Sequence, residues 1–281
     1  MQSLRLTSLV ENTATRQGLL AEHGLAFWLE TDSKKVLFDT GQTGVLAHNA
    51  DRLGVDLRSA DAVVLSHGHY DHTGGLQALL DDGYAGPVYA HPAALRDKYG
   101  RNPDGTGRYI GMPPALRARL EGSPRLRQTE SPTEIIDGLR VTGPVPRTTD
   151  FEDTGGSFFL DADCTQPDDL ADDQAAFLDT PEGIVVILGC AHAGIINTLL
   201  AIKRFLPERP LRCVIGGTHL CDATERRMAS TVAALREFGA PRLYPVHCTG
   251  FDAAARLRRE FPDRVAPCPV GTTLTIPSFG A

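Results

Sequence analysis

One short segment of the chain, residues 65–75, concentrates side chains that could carry chemistry. It contains His67, His69, Asp71 and His72, and a predicted strand ends just before them. Buried imidazole and carboxylate groups each need a polar partner. A divalent cation would satisfy all of them, because neutral imidazole nitrogens and carboxylate oxygens are ligands of Zn²⁺, Fe and Mn²⁺. The spacing therefore predicts a metal site and disfavours a solvated polar loop.

Three further histidines follow predicted strands. His192, His219 and His247 each come directly after an apolar stretch of the chain. In layered α/β proteins, sites gather where strand ends meet loops, so these side chains could converge on one pocket. A hydrogen-bonded core histidine explains any one of them taken alone. Beside the first cluster, however, His192 and His247 are predicted ligands, and for His219 the two interpretations are balanced.

The number of candidate ligands favours two ions. One tetrahedral site takes about four ligands, and a catalytic site keeps one position for water. Six protein ligands and a bridging water fit two adjacent ions, an arrangement that serves hydrolytic and phosphoryl chemistry. We expect two divalent ions, Zn²⁺ in the first place, with Fe or Mn²⁺ as alternatives. The predicted ligands are His67, His69, Asp71, His72, His192 and His247.

Strand and helix signals surround these residues. Strand patterns occupy 4–10, 25–30, 36–38, 61–65, 88–90, 134–142, 157–160, 175–178, 184–188, 211–215, 242–246 and 272–276. Helical spacing occurs at 45–53, 76–80, 115–120, 195–205, 223–238 and 253–260. Strands at both ends with helices between them, in two similar halves, predict two mixed sheets with helices on their outer faces. No repeat or low-complexity linker divides the chain, so we expect a single domain over residues 1–281.

Residues 93–135 have a different composition. They are rich in Pro, Gly and Arg, and they predict an irregular insertion with one short helix near 115–120. A long loop in a compact domain is usually functional, as a lid or a dimer arm, although a decorative insertion is an equal alternative. We expect the insertion to approach the mouth of the metal pocket or a partner subunit, and a homodimer is one arrangement that would follow.

Composition argues against several classes of protein. The 281 residues include 28 Lys and Arg against 35 Asp and Glu, a net charge of −7, so the chain offers nucleic acid no general basic surface. The six cysteines form no CxxC pair, which indicates reduced thiols. The first residues lack a signal-peptide pattern, and no apolar stretch approaches the ~20 residues of a membrane helix. We expect a cytoplasmic protein that acts on a small molecule, without nucleic-acid or membrane partners.

The motif His67-x-His69-x-Asp71-His72, with Asp39-Thr-Gly upstream, resembles the metallo-β-lactamase superfamily. The resemblance implies an α/β fold, a four-layered αββα sandwich of two mixed β-sheets flanked by helices, with the metals at one edge. More narrowly, the chain is similar to the branch of dihydropterin–ribofuranosylaminobenzene phosphate synthase-like proteins. The segments that carry this closer similarity are 12, 22–24, 39–42, 66–76, 189–197, 216–220 and 247–250.

The chain departs from the common pattern of this superfamily at two positions. No histidine follows the strand near 139–141, where a third ligand of the first site is usual, and Cys190 replaces the usual bridging Asp. We infer that His192, two residues beyond Cys190, supplies the missing imidazole. Cys190 either bridges the ions as a thiolate or packs in the core, as buried cysteines more often do.

Four residues near these motifs are candidates for supporting roles. Asp39 is expected to orient a ligand histidine, since metal-bound imidazoles usually donate their other N–H to a carboxylate, or to form an Asx turn. The family resemblance makes Glu22 and His23 candidates to line the pocket and transfer protons, although a polar turn is by default exposed. Thr73 precedes two glycines at a predicted helix start, where free N–H groups could hold an anion or the helix could simply be capped.

The ligand set and the resemblance together predict a dinuclear metal-dependent hydrolase. A metal-bound hydroxide would attack a carbonyl or phosphoryl centre. Asp71 would hold an ion, and His219 would protonate the leaving group or bind substrate with a pKa near neutrality. The branch implies a small phosphorylated or pterin-like substrate, and a thioester or lactone is an alternative. A di-iron redox metalloprotein of the same fold and a metal-binding scaffold without turnover are the competing classes.

Overall fold

Short β-strands form the framework of the protein, whose computed structural model describes residues 4–276. The strands are β1 (Leu4–Val10), β2 (Ala26–Glu30), β3 (Lys35–Phe38), β4 (Ala62–Val64), β5 (Val88–Ala90), β6 (Tyr99–Arg101), β7 (Gly107–Tyr109), β8 (Leu126–Gln128), β9 (Thr133–Ile136), β10 (Leu139–Val141), β11 (Phe158–Phe159), β12 (Ala176–Thr180), β13 (Gly183–Leu188), β14 (Leu211–Gly216), β15 (Arg242–Pro245) and β16 (Thr273–Ile276).

Two of the sheets are mixed. The larger has the order β16-β1-β2-β3-β4-β5-β8, antiparallel from β16 to β3 and parallel from β3 to β8. The second has the order β15-β14-β13-β12-β10-β9, parallel from β15 to β13 and antiparallel beyond. Buried side chains of both sheets, such as Phe27 and Ile187, form one apolar cluster, so the sheets pack face to face.

Helices cover the outer face of each sheet. They are α1 (Val45–Leu53), α2 (Tyr70–Thr73), α3 (Leu76–Asp81), α4 (Pro114–Leu120), α5 (Ile195–Phe205), α6 (Glu225–Glu237) and α7 (Phe251–Glu260). Leucines of α1, α3 and α4 pack on the first sheet, and apolar residues of α5, α6 and α7 pack on the second. This arrangement confirms the expected four-layered αββα sandwich. No helix within residues 4–276 is both long and apolar enough to cross a bilayer.

Burial explains why some sequence signals are strong. All of β13 is buried. A central strand that is covered on both faces has a continuous apolar sequence, which is why its signal is strong. Helices α1 and α5 begin and end where the apolar spacing predicts. Helix α1 stops at Gly54, whose φ of 70° suits a residue without a Cβ atom.

The insertion 93–135 is more regular than predicted. Its helix is α4, near the expected position, and short strands interrupt the irregular stretches around it. Strand β8 extends the first sheet parallel to β5, and β6 and β7 form a small antiparallel sheet with β11. Sequence patterns miss β6, β7 and β8 because each has only three residues, whereas β11 falls within the predicted strand at 157–160.

A buried ion pair ties the insertion to the histidine-rich segment. Lys98 Nζ lies 2.8 Å from Asp168 Oδ2 and 2.7 Å from Asp172 Oδ1, and all three side chains are buried. The other oxygen of Asp172 accepts a hydrogen bond of 2.7 Å from the backbone N–H of Gly68. Removing one partner from such a group leaves uncompensated buried charge.

We therefore expect Lys98→Met to lower the free energy of unfolding by about 3–5 kcal/mol, because two buried carboxylates lose their cation. Urea unfolding followed by circular dichroism measures this loss. The matched control is Lys34→Met, since Lys34 bonds Asp61 at 2.8 Å on the exposed surface, where ion pairs contribute little. Equal urea midpoints for the two variants would contradict this account.

Candidate metal centre

The candidate ligands lie where strands of both sheets end. Segment 65–75 follows β4, and Asp39 follows β3 in the first sheet. In the second sheet, Cys190 and His192 follow β13, His219 follows β14 and His247 follows β15. Parallel neighbours end at the same edge of a sheet, so these residues come together although the sequence separates them widely.

The backbone turns sharply at these strand ends. Asp39, Ala191, His219 and His247 have φ values of 58°, 51°, 47° and 52°, in the left-handed region that residues with a Cβ atom seldom adopt. This conformation costs roughly 1–2 kcal/mol per residue. Its occurrence at four strand ends around one cluster indicates that the fold enforces these turns to direct side chains into the cluster.

The first group of ligand atoms belongs to His67, His69 and His192. Their ligand atoms lie within 4.8 Å of one another, and His67 Nε2 is 3.0 Å from His69 Nδ1. The Nδ1 atom of His192 is 2.8 Å from the carbonyl oxygen of Thr154, which leaves Nε2 for the cluster. That Nε2 atom is buried and has no protein partner. An unpartnered buried nitrogen beside two other imidazoles fits a metal ion.

The second group consists of Asp71, His72 and His247. His72 Nε2 lies 3.1 Å from His247 Nε2, and Asp71 Oδ2 lies 3.8 Å and 3.4 Å from these two nitrogens. All three side chains are buried. Two nitrogens and a carboxylate oxygen at such separations have the composition and spacing that a divalent cation requires.

Cys190 lies between the two groups. Its Sγ atom is 3.2 Å from His72 Nε2, and it also falls within 4.8 Å of the ligand atom of His67. Burial raises the pKa of this thiol, and the neighbouring Cys248 thiol raises it further. Cys190 is therefore not a remote core cysteine, and its position is compatible with the bridging alternative.

Asp39 supports the second group from behind. Its Oδ2 atom is 2.7 Å from His72 Nδ1, and its carboxylate also accepts hydrogen bonds of 2.7 Å from the N–H and the hydroxyl of Ser66. The N–H groups of Thr40 and Gly41 donate elsewhere, to backbone carbonyls, so the Asx turn is not formed. The contact orients His72, as expected from the sequence.

Burial sets the protonation of the imidazoles. It lowers the pKa of His69 to about 3 and of His247 to about 4, and it lowers the pKa of His67 well below its ordinary value. Burial also opposes the charge on His72, but the Asp39 and Asp71 carboxylates outweigh it and raise the pKa of His72 to about 9. The cluster thus presents mainly neutral imidazoles, the form that binds metal.

His219 enters the same cavity, but with a different pKa from the expected one. Its ring centroid is 4.4 Å from that of His192, and its Nδ1 atom is buried without a protein partner. Burial, followed by the charges of His247 and Arg227, lowers the pKa of His219 to about 4. The expectation of a pKa near neutrality was therefore wrong, because the sequence does not reveal how deeply this strand end is covered.

Three supporting candidates have different outcomes. His23 lines the cavity, and its Nδ1 atom is 3.2 Å from Asp71 Oδ2. Glu22 does not line it, because its carboxylate accepts hydrogen bonds from the N–H groups of Gln42 and Thr43 and from the Thr43 hydroxyl.

Thr73 offers no anion site. Its hydroxyl and its N–H both donate to the carbonyl oxygen of His69, and the N–H groups of Gly74 and Gly75 donate to other backbone carbonyls. Thr73 ends α2 and does not cap the helix that follows. The expectation was wrong because every donor in this turn has an internal partner.

The cluster opens into a cavity of about 360 Å³. The sequence analysis did not predict several residues that line this cavity. Phe158 of β11 covers the imidazoles, with its ring centroid 5.2 Å from that of His69 and 5.1 Å from that of His192. Arg108 and Ile110 bring the insertion to the cavity mouth. A larger neighbouring cleft, of about 560 Å³, shares the wall formed by Asn12 and His247 but contains no other member of the two ligand groups.

The fold and the two ligand groups define a class of metal-binding α/β sandwich. The sequence pattern of the metallo-beta-lactamase superfamily matches residues 20–202. The chain belongs to this superfamily. It is 32% identical to a metal-dependent hydrolase of the beta-lactamase superfamily of known crystal structure, with a TM-score of 0.81 over 97% of this chain and 99% of that one.

Two relatives come from Methanocaldococcus jannaschii. An uncharacterized protein is 35% identical over 252 residues, which cover 89% of this chain and 92% of the relative. The 7,8-dihydropterin-6-methyl-4-(beta-D-ribofuranosyl)-aminobenzene-5'-phosphate synthase is 28% identical over 277 residues, which cover 93% of this chain and 92% of the relative. These similarities confirm the predicted superfamily and the predicted closeness to the synthase-like branch.

Replacing Asp39 by Asn tests how the second group is held. Asn tolerates the left-handed backbone at this position, while the carboxylate that contacts His72 is lost. We expect metal affinity to fall about 10- to 100-fold, as is usual when such a supporting contact is removed. Competition with a chromophoric chelator measures this change.

The control for this variant is Asp61→Asn, because Asp61 also accepts a backbone hydrogen bond, 2.8 Å from Lys35, but lies outside the metal cluster. Its metal affinity should equal that of the unchanged protein. The same affinity in the Asp39 variant would show that Asp39 does not orient His72.

Proposed function

We propose that this protein is a dinuclear metal-dependent hydrolase of small molecules. The observation that carries the proposal is the pair of three-residue ligand groups, buried side by side beneath one cavity. Each group contains nitrogen or oxygen atoms within a few ångströms of one another, and Cys190 lies within reach of both. Hydrolytic sites with two adjacent ions use this kind of arrangement.

The residues divide between two ions. We infer that His67, His69 and His192 would hold one divalent ion, and Asp71, His72 and His247 the other. The nitrogen-rich donor set suits Zn²⁺ in the first place, with Fe and Mn²⁺ as alternatives. Bound at these positions, two cations would lower the pKa of a water molecule and polarise a carbonyl or phosphoryl oxygen.

The remaining side chains prepare the cavity for substrate. Phe158 covers the imidazoles and excludes bulk water from one side of the cluster. His219 lines the cavity, and its imidazole could make a hydrogen bond with a bound substrate. His23, half-exposed at the mouth, shares a hydrogen bond with Asp71 that raises the pKa of His23, and it can carry a proton between cavity and solvent.

The proposed substrate is a small phosphorylated or pterin-like molecule. Its support is the similarity, along nearly the whole chain, to a relative named as a synthase of a dihydropterin-containing phosphate. The relative that is named as a metal-dependent hydrolase supports hydrolysis as the reaction class. Thioesters and lactones have electrophilic carbonyl centres that the same site could attack, so they belong in any test.

Metal analysis combined with a substrate panel tests the proposal. Aerobically purified protein should contain about two Zn²⁺ per chain and hydrolyse at least one of a phosphodiester, a thioester and a lactone. Two iron ions per chain, with visible absorption that changes on reduction, would instead indicate a di-iron redox metalloprotein. Bound metal without turnover on any of the three would indicate the scaffold.

His192→Ala and His247→Ala test the assignment of ligands. Each variant should keep its fold but lose or weaken one ion, because each removes one ligand from a different group. Metal content by mass spectrometry, with circular dichroism as the check on folding, gives the result. Full metal content and activity in His192→Ala would contradict the inference that this residue supplies an imidazole. The control is His48→Ala, because His48 is a partly buried histidine on α1 whose Nε2 atom lies 2.9 Å from the carbonyl oxygen of Gly18, outside both ligand groups.

His219→Ala separates substrate handling from metal binding. We expect both ions to remain, and kcat/KM to fall about 10- to 100-fold, the effect of losing one hydrogen bond to a charged group. Loss of an ion would instead show that His219 is a seventh ligand. The variant can reveal this, because the ligand atom of His219 lies within 4.8 Å of those of Cys190 and His192. Unchanged metal content and unchanged kinetics would leave His219 a purely structural residue.

A further inference from the structure

The mouth of the metal cavity carries a guanidinium group without a protein partner. Arg108, in strand β7, lines the cavity together with Tyr70 and His23. Within residues 4–276, the side chain of Arg108 makes no hydrogen bond or ion pair, while its backbone pairs with Gly100 of β6. A cation that faces a binding cavity and is not neutralised by the protein is available to a ligand.

Arg108 is also the one fixed charge left for a substrate. Among the described side chains that line the cavity, Asp71 is the one carboxylate and Arg108 is the one guanidinium. Asp71 belongs to the second ligand group. The chain as a whole has a net charge of −7, so its overall field disfavours anions. A local cation at the mouth reverses this preference where the substrate enters.

Strands β6 and β7 form a hairpin that is hydrogen-bonded to the histidine-rich segment. The N–H of Tyr70 donates a 3.0 Å hydrogen bond to the carbonyl oxygen of Ile110, and His69 forms an isolated β-bridge with Gly111. The insertion is therefore hydrogen-bonded to the segment that carries the first ligands.

The residues next to Arg108 in the β6–β7 hairpin make no contact that would engage its guanidinium. Tyr109 fixes the strand, since its hydroxyl donates a 2.7 Å hydrogen bond to the carbonyl oxygen of Met112. The cross-strand partner of Arg108 is Gly100, which has no side chain that could pair with the guanidinium.

We propose that Arg108 binds an anionic group of the substrate, a phosphate monoester or a carboxylate, that lies outside the bond to be cleaved. Arginine presents its N–H donors in a planar fork that matches either group bidentately, with charge-assisted hydrogen bonds. This inference deepens the proposed function and rests on it for the existence of a cleaved bond. It assigns to the insertion the selection of an anionic substrate.

Calorimetric titration of the metal-loaded protein with three probes tests the inference. The probes are phenyl phosphate, phenylacetate and the neutral benzyl alcohol. In Arg108→Gln, the Kd of at least one anionic probe should rise about 10- to 100-fold, the loss of a hydrogen bond between charged groups. Binding of benzyl alcohol should not change. The anion that loses affinity identifies the recognised group as phosphate or carboxylate.

The matched control is Arg52→Gln, in the exposed last turn of α1, which should leave all three Kd values unchanged. The inference is overturned if Arg108→Gln leaves the anion affinities unchanged, or if neither anion binds the unchanged protein. Such a result would not affect the hydrolase proposal when the substrate panel shows turnover. Conversely, anion binding could be weaker in Arg108→Gln although the unchanged protein hydrolyses none of the panel. This result would support the Arg108 site and refute the hydrolase proposal.

Discussion

The close packing of buried imidazole nitrogens determines much of the rest of this structure. His67 Nε2 lies 3.0 Å from His69 Nδ1, and His72 Nε2 lies 3.1 Å from His247 Nε2. In a low-dielectric interior, a polar atom without a partner is costly, and His69 Nε2 and His192 Nε2 are buried without one. Cations bound among these atoms would be coordinated by them and would satisfy their lone pairs. The chemistry of the site and the stability of the bound fold are therefore linked.

The architecture holds these groups together with backbone that has little freedom. Left-handed φ values at strand ends turn the chain towards the cluster. Two glycines provide the necessary closeness of neighbouring segments. A Cβ atom at Gly68 would lie 2.2 Å from the carbonyl oxygen of Ala94, and one at Gly189 would lie 2.0 Å from Ser66 Oγ. Ligands carried on such constrained strand ends are positioned before an ion binds, which favours affinity and a fixed geometry.

The sequence was most informative where short-range patterns determine structure. Helices α1 and α5 follow from apolar spacing, and the ligand cluster follows from histidines at the ends of apolar strands. Arg108 and Phe158 could not be recognised, because their place at the cavity depends on a three-stranded sheet formed by distant segments of two or three residues. Glu22 and Thr73 were misjudged because their polar atoms have backbone partners that only the folded chain reveals.

The positions of bound metal ions in a crystal decide whether two ions share this cluster. Anomalous diffraction at the zinc edge, from crystals grown with Zn²⁺, locates each ion without reference to the protein atoms. We expect two peaks about 3.5–4 Å apart, one contacting His67, His69 and His192 and the other contacting Asp71, His72 and His247. A single peak, or peaks outside these two groups, would contradict it.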